Sequence, residues 1–274
     1  MAWTVHVGIF IVLTLIGIVV GVTTVMFGFG GGFMTVPVVA VADHSLGGNA
    51  VRVATATSAL VMLANAGTAT LSTRREVIRP LVDDTRLLAL LGVGGAVGAY
   101  VGRFAPAAML QWGFVLYIAA TIVDLLIRPG FLRAERPSST AGEGRSRLGI
   151  ATWAGAPIGS VAAFLGVGGS VMTVPMMRRS GAPMQTATTL ANPLTFVISA
   201  PAVVITALIG GTVAAGGGIV GSIDVRAGLA LLVGAMPVIV MLRRRTLHIP
   251  EAVHAWGYVL MLVAAGVTVV IAGR

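Results

Sequence analysis

Apolar residues in this chain come in long runs, not in the stripes that build the core of a soluble domain. A transmembrane helix needs about 20 apolar residues, and several runs approach or exceed that length. The candidate segments are residues 4–25, 51–71, 87–104, 107–127, 150–165, 184–209, 227–242 and 252–272. The pattern predicts an all-α integral membrane protein.

Two further apolar stretches, residues 33–42 and 171–177, each follow a glycine cluster and are too short to span a membrane as straight helices. The hydrophilic region 128–148 is rich in Arg, Glu, Pro, Ser and Gly, which is typical of a linker. We therefore divide the chain into a first transmembrane repeat (1–127), a hydrophilic cytoplasmic linker (128–148) and a second transmembrane repeat (149–274).

The two halves are related by an internal duplication. Residues 28–37 (GFGGGFMTVP) and 166–175 (GVGGSVMTVP) align without gaps and are identical at seven of ten positions. Downstream, the segment TATS at 55–58 matches TATT at 186–189. The similarity predicts that both halves fold into the same unit.

The arginines predict how the halves are oriented. In the first half they are dense after the second long segment (74–86) and after the fourth (128–147), whereas in the second half they follow the glycine motif (178–179) and the third helix (243–245). This swap is expected of two inverted repeats. Inversion requires an odd number of crossings. The Gly-broken first segment of each repeat is therefore predicted to be a re-entrant or hairpin element without net crossing, followed by three long transmembrane helices.

In that topology all but four of the 18 arginines face one side, the four being Arg52, Arg103, Arg226 and Arg274. Arginine-rich sides are cytoplasmic. We therefore expect a multi-pass protein of the plasma (inner) membrane, with the linker and the 243–245 turn in the cytoplasm and both termini outside. Arg103 and Arg243 each close the third long helix of their half.

Composition agrees with a membrane location, because 57% of the residues are hydrophobic and only 10% are charged, against about a quarter charged in soluble domains. Mean hydropathy is +0.98. The net charge of +9 does not indicate nucleic-acid binding, since all basic residues are Arg and nearly all lie between apolar runs. The expected partners are membrane lipid, a small anionic substrate and, as a further option, a second copy in a homodimer.

Enzyme chemistry finds little support in the sequence. The absence of Cys excludes thiol chemistry and iron–sulfur ligation, and the absence of Lys excludes a Walker A motif. Ser170 is a conceivable nucleophile, but the histidines all lie near segment ends, which makes a Ser–His pair implausible; they are His6, His44, His248 and His254. No Cys/His/Asp cluster offers a metal site. We expect no catalytic residue, no metal and no cofactor.

The paired glycine motifs are the most informative feature. Broken helices at membrane depth are tolerated only where they line a cavity or are buried in protein, and matched interruptions in two halves point to a substrate site. The glycines allow the backbone to turn and expose N–H groups, which form an anion site without a cationic side chain; they are Gly28, Gly30, Gly31, Gly166, Gly168 and Gly169. Pro37 and Pro175 are expected to limit the helices that follow. The alternative role of the glycines is tight helix packing.

Hydroxyl and amide groups near these motifs are the candidate ligands of an oxyanion. They are Thr35, Thr55, Thr57, Ser58 and Asn65 in the first half and Ser170, Thr173, Thr186, Thr188, Thr189 and Asn192 in the second. A buried Asn costs free energy unless it is paired. The alternative role of these groups is hydrogen bonding between helices or to their own helix.

Few ionisable groups lie within the predicted helices, and no arginine is expected deep in the membrane. Arg52, at the start of a Thr-rich helix on the arginine-poor side, either attracts an anion or extends into water as a helix-end residue. Asp124 and Arg128 are one turn apart and are expected to pair.

A third group of glycines lies on the third long helix of the first half, where Gly94, Gly98 and Gly102 form one face. This GxxxGxxxG spacing argues for close helix packing, either internal or across a dimer.

The two GxGG…TVP signatures, each followed by a Thr/Ser-rich helix, resemble the sulfite exporter TauE/SafE family, also called toluene-sulfonate uptake permeases, over nearly the whole chain. The resemblance implies transport of small sulfur-containing or organic anions such as sulfite, sulfonates or sulfoacetate. Two departures make the halves unequal: Ser170 replaces Gly32, and residues 94–98 (GGAVG) become 234–238 (GAMPV). Substrate identity therefore does not carry over.

These features predict a secondary transporter that works by alternating access, and the resemblance implies that it is an exporter. The alternatives are an anion channel, or an uptake permease for a small carboxylate or sulfonate. Nothing resembles a channel filter, and a matched pair of broken helices favours alternating access.

Overall fold

A computed structural model describes residues 2–128, 130–132, 149–209, 219–244 and 249–272. Within these ranges the chain forms eleven α-helices: α1 (Ala2–Phe27), α2 (Gly32–Ala42), α3 (Ala50–Leu71), α4 (Arg75–Val82), α5 (Thr85–Gly102), α6 (Ala107–Ile127), α7 (Gly155–Leu165), α8 (Ser170–Arg179), α9 (Met184–Ile209), α10 (Val225–Arg243) and α11 (Glu251–Ala272). Short 3-10 helices cover His44–Asn49 and Thr152–Ala154. A small antiparallel hairpin, β1 (Ile219–Val220) and β2 (Ile223–Asp224), precedes α10.

Seven of the described helices are long and apolar enough to cross a membrane, namely α1, α3, α5, α6, α9, α10 and α11. The prediction of an all-α integral membrane protein is therefore confirmed. The short helix α4 was not predicted from the sequence. It is amphipathic and buries only Leu81.

The predicted long segment 150–165 differs from expectation. Its α-helical part, α7, has only 11 residues and follows a 3-10 turn. The helix ends because Gly166 has a φ of 68°, a left-handed conformation that stops the helix and that glycine adopts without strain.

The prolines also differ from expectation. Each lies inside the helix that follows its glycine motif, Pro37 in α2 and Pro175 in α8, and both helices continue beyond it. The prediction that they limit these helices is wrong. Each ring removes only the hydrogen bond to the carbonyl four residues earlier, close to the helix start.

The two halves interlock. The first helix of each half packs against the third long helix of the other, α1 on α10 and α7 on α5. A Cβ at Gly94 or Gly98 would overlap the carbonyl of Ala156 or Ser160 in α7. Gly102 is looser, with its nearest neighbour, Phe164, 3.6 Å from an added Cβ. The close packing of this glycine face is thus internal to the chain.

The first segment of the first half doubles back. Gly17 lies against Leu231 and Gly21 against Ala235, so α1 and α10 run side by side in the same direction. After the glycine motif, α2 ends at Asp43, which interacts electrostatically with Asp224 at the start of α10. The α1–α2 segment therefore returns to the end of the molecule where α10 begins.

The equivalent helices α3 and α9 run in opposite directions. Arg52, at the start of α3, shares a cavity with Thr206, near the end of α9. Farther along α3, an added Cβ at Gly67 would lie 3.2 Å from Phe196, nearer the middle of α9. The inversion of the repeats across a membrane, the boundaries of the repeats and the side on which each end lies stay predictions. Residues 133–148 of the linker, with Arg245 and Arg274, lie outside the described residues.

Candidate anion site

Each glycine motif interrupts a helix, the first between α1 and α2 and the second between α7 and α8. These two interruptions are called the glycine breaks below. Positive φ values occur at Gly28 (73°), Gly30 (62°), Gly31 (88°), Gly166 (68°) and Gly168 (75°). Other residues rarely adopt this left-handed conformation, so the backbone requires glycine at these five positions. Gly169 instead has a φ of −72° and caps the start of α8.

The two breaks touch each other. A Cβ at Gly32 would lie 3.0 Å from the carbonyl oxygen of Gly166, and a Cβ at Gly168 would lie 3.4 Å from that of Phe29. Each break also packs on the Thr-rich helix of the other half, Gly28 on Thr188 in α9 and Gly166 on Ser58 in α3. The structure thus brings both motifs and both Thr-rich helices into one region.

Buried polar atoms without hydrogen-bond partners surround this region. The fully buried side chains that carry them are Asn65, Ser170, Thr173, Asn192 and Thr195. In Asn65 both amide atoms lack a partner. Each such group costs about 1–3 kcal/mol, and buried polar groups in native proteins nearly always have partners. A polar occupant would supply them.

Asn65 and Thr195 lie closest to the breaks. The Asn65 Nδ2 atom is 2.7 Å from the position of a Cβ on Gly31. The Thr195 methyl group is 2.8 Å from a Cβ on Gly30 and 3.1 Å from one on Gly168. Thr195 therefore contacts both breaks, although it was not singled out from the sequence. Its helical spacing, three residues after Asn192, was the available signal.

A cavity of about 200 Å³ lies beside the second break, among the starts of α3 and α6 and the ends of α5, α7 and α9. Arg52 and Arg103 line it, and none of its described lining residues is acidic. Thr55 forms part of the wall and is also 2.9 Å, by its methyl group, from a Cβ on Gly166. The cavity therefore extends to the glycine motif of the second half.

Comparison with models of known protein families assigns the chain to a family. The model of the sulfite exporter TauE/SafE family matches residues 13–269, a range that contains both glycine motifs and the cavity. The chain belongs to the sulfite exporter TauE/SafE family. The resemblance inferred from the two GxGG…TVP signatures is confirmed. No curated protein and no solved structure matches the chain.

Membership in the TauE/SafE family makes the protein a membrane transporter of the class that carries sulfur anions. Together with the seven apolar helices, it establishes a multi-pass membrane protein. Among the described residues, no three His, Asp or Glu side chains are grouped to hold a metal ion.

Several predicted site residues of this TauE/SafE protein bond to nearby backbone. The hydroxyl of Thr35 donates to the Gly31 carbonyl at 2.8 Å, and that of Ser58 to the Gly166 carbonyl at 2.7 Å. Thr188 donates to the Gln185 carbonyl within its own helix. The hydroxyls of Thr35 and Ser58 thus bond to the glycine motifs, whereas that of Thr188 does not. All three keep lone pairs, but their protons are engaged.

Three other predicted residues lie away from the breaks. Thr57 accepts from the backbone N–H of Asp224 at 2.9 Å, and Thr189 accepts from Nη1 of Arg243 at 3.1 Å. Arg52 donates to the carbonyl of Ala105 at 2.9 Å. The structure thus places these side chains in helix contacts and in the cavity, not at the meeting point of the glycines.

One arginine is completely buried inside the protein, which was not predicted from the sequence. Arg178, in the last turn of α8, has no exposed side-chain area. Its guanidinium lies 2.7 Å from the Glu251 carboxylate and donates to the carbonyls of Phe131 and Ala182. A buried cation is stable only when it is paired in this way. Because these contacts lie at the far end of α8, this charge does not reach the breaks.

A second ion pair ties α6 to α8 at the same end. Asp124 pairs with Arg128, as expected, at 3.2 Å and also with Arg179 at 2.7 Å. Nearby, His254 is buried in the first turn of α11 and contacts the Met26 carbonyl at the end of α1. His254 therefore lies near a helix end, as expected, and joins the start of α11 to the end of α1.

Proposed function

We propose that this protein is a secondary transporter, working as an exporter, of small sulfur-containing or organic anions such as sulfite, sulfonates or sulfoacetate. It works by alternating access, and the anion is held between the paired glycine motifs. The observation that carries the proposal is the set of buried, unpartnered polar atoms around the two breaks. Family membership supports the choice of sulfur anions as the substrate class.

An oxyanion that enters a low-dielectric site must replace the hydrogen bonds it made to water. The amide of Asn65 and the hydroxyls of Ser170, Thr173 and Thr195 are donors for that purpose. The starts of α2 and α8, at Gly32 and Ser170, add backbone N–H groups and the positive ends of two helix dipoles. Neutral donors suit a transported ion, because they bind it less tightly than a buried cation would and so allow its release.

The packing of the helices supports alternating access. Equivalent helices of the two halves occupy exchanged positions, as α1 on α10 and α7 on α5 illustrate. The cavity lies at one end, while ion pairs join α6, α8 and α11 at the other. Such an arrangement fits a state that is accessible from one side only.

The test of function is a flux screen with purified protein in liposomes. Sulfite, sulfonates and small carboxylates are offered in turn, from either side of the membrane. We expect saturable transport of a sulfur anion, whereas an anion channel gives flux that does not saturate and an uptake permease gives the opposite preferred direction. Failure to move any sulfur anion would contradict the proposal.

The site itself is tested by removing an unpartnered polar group. Asn65→Leu keeps the branched shape of the side chain and deletes the amide, so we expect a loss of transport of about tenfold or more. Melting temperature in detergent should be unchanged or raised, because a costly buried amide has gone. Thr195→Val should weaken transport by the equivalent of about 1–2 kcal/mol.

Thr68→Val is the matched control, since the Thr68 hydroxyl bonds only to the Ala64 carbonyl of its own helix. This variant should transport normally. If Asn65→Leu and Thr195→Val also transport normally, the anion binds elsewhere and the polar cluster has another role.

A further inference from the structure

The cavity beside the second glycine break carries two positive charges. Arg52 and Arg103 both line it, and its described lining contains no carboxylate. Charges in a partly enclosed, largely apolar cavity are screened less than charges on an open surface. The cavity therefore has a positive potential that attracts anions.

Contacts with the protein hold both guanidinium groups in place. Nη2 of Arg52 donates to the Ala105 carbonyl at 2.9 Å, while its buried Nε has no partner. Ala105 lies in the α5–α6 turn, two residues after Arg103, so this bond fixes the turn that carries the second cation. The guanidinium carbon of Arg103 lies 4.7 Å from the centre of the Phe104 ring, a cation–π contact that leaves its N–H donors available.

The cavity is next to the proposed transport site but separate from it. Thr55 forms part of the cavity wall and packs on Gly166. One turn further along α3, the hydroxyl of Ser58 donates to the Gly166 carbonyl. An anion in the cavity would therefore be separated from Gly166 by the side chain of Thr55.

We propose that this cavity is a second anion site, in which Arg52 and Arg103 bind a doubly charged oxyanion next to the glycine breaks. Arg103 is the residue that determines the preference for double charge. Two cations with no counter-charge in the lining favour a dianion such as sulfite at alkaline pH over a singly charged sulfonate. The inference rests on the proposed function, because it identifies the charge class of the transported anion.

The kinetic test compares Arg103→Gln with the wild type in liposomes. The half-saturating concentration of dianionic sulfite should rise about tenfold, with little change in the maximal rate, because one charge-assisted contact is lost. The rise should be smaller, about threefold, for methanesulfonate, which carries one charge. Arg103→Lys should restore most of the sulfite affinity. Equal affinity losses for both anions, or none for either, would overturn the proposal.

Arg226→Gln is the matched control. Arg226 is an exposed arginine at the start of α10 and is absent from the cavity lining. Its loss should leave both half-saturating concentrations unchanged. An effect as large as that of Arg103→Gln would mean that general surface charge, and not the cavity, concentrates the anion.

A second test does not depend on transport. The chain has no native Cys, so Ala99→Cys places a single thiol in the cavity wall, and Ala108→Cys places one on an exposed site of α6. In detergent, the thiol in the cavity should react faster with a negatively charged methanethiosulfonate than with a positively charged one, whereas the thiol on α6 should show no such preference. Adding Arg103→Gln should lower the ratio of the two labelling rates in the cavity about tenfold. Sulfate should slow the labelling in the cavity.

The two tests separate the possible failures. Charge-dependent labelling and sulfate protection without any sulfur-anion flux would leave the cavity site standing and refute the proposed function. Normal transport of sulfur anions, together with a labelling-rate ratio that Arg103→Gln does not change, would refute the cavity site alone. If phosphatidylglycerol protects the thiol and sulfate does not, the cavity holds a lipid phosphate and the proposal is wrong.

Discussion

Arg103 and Arg243 stand at equivalent positions at the ends of α5 and α10, yet their surroundings differ. Arg103 lines a cavity, whereas Arg243 donates to Thr189, with Nε and Nη2 buried and without partners. The residues just before them explain part of the difference. Where the first half has Ala99 and Gly102, the second has Ile239 and Leu242. The small residues Ala99 and Gly102 both line the cavity, and the larger side chains at the equivalent positions would leave less room there.

The ends of the molecule also differ in how they are held. Among the described residues, the ion pairs of Arg178 with Glu251 and of Asp124 with Arg128 and Arg179 lie at the end opposite the cavity. At the cavity end, Arg52 bonds to a backbone carbonyl instead. The comparison suggests that the two ends of a duplicated fold become different through unequal side-chain volumes and unequal ion pairing. Four predictions test this comparison, from the largest expected effect to the smallest.

The glycine breaks are the feature that the halves share, so substitutions there should have the largest effect. Gly30→Val and Gly168→Val each force a branched side chain into a left-handed conformation and against the Thr195 methyl group. We expect sulfite transport to be abolished in both, with membrane insertion retained. Gly30→Ala and Gly168→Ala, which are milder, should be partly active. Normal rates in all four well-expressed variants would show that the glycines are packing residues.

Making the first half resemble the second should remove the cavity. Ala99→Ile with Gly102→Leu introduces the residues of the second half, and an added Cβ at Gly102 has room because its nearest neighbour is 3.6 Å away. Transport should fall by about tenfold or more, because the proposed anion path is filled. Val97→Leu, on an exposed part of the same helix, is the control and should be active. Full activity in the double variant would show that the cavity lies off the transport path.

Removing the partner of a buried charge should destabilise the end of the molecule opposite the cavity. In Glu251→Gln, the fully buried Arg178 keeps its two carbonyl contacts but loses its counter-charge, at a cost of up to about 3 kcal/mol. Asp124→Asn should cost less, about 1 kcal/mol or below, because both Asp124 and Arg179 are partly exposed. Melting in detergent measures both. The reverse order would mean that the Arg178 pair does not hold this end.

The smallest effect should be a pH dependence confined to the first half. Burial, and then the charge of Asp224, raise the pKa of Asp43 from 3.8 to about 6. A raised carboxyl pKa destabilises the folded state above about pH 6, and the penalty disappears as the pH falls towards 4. Wild-type melting temperature should therefore rise between about pH 7 and pH 5 relative to that of Asp43→Asn. Parallel curves would contradict this. The equivalent position in the second half is Gly181, which has no such group.

The fold was predictable from the sequence as far as it depends on local pattern. Runs of apolar residues located the seven long helices, and the duplicated motif located both breaks. The shortness of α7 was not predictable from hydropathy, because the segment 150–165 is apolar throughout its length. The helix ends at Leu165, as predicted, but it begins only at Gly155, because the residues before it form a 3-10 turn.

The site was predictable only in part, because its details depend on contacts between distant segments. The pairing of Arg178 with Glu251 joins residues 73 positions apart, and no local pattern indicates it. The cavity at Arg103 depends on the small side chains of several helices that meet there. Thr195 belongs to no motif, and only the folded structure shows that it contacts both glycine breaks.

The central claim is that an oxyanion is held between the two glycine breaks. A crystal of the wild-type protein soaked in selenite, a heavier analogue of sulfite that must first be shown to compete for transport, tests it most directly. We predict anomalous scattering from selenium beside Gly30, Gly168 and Asn65, and its loss in Asn65→Leu. Selenium found only elsewhere, or at the breaks equally in both proteins, would contradict the account.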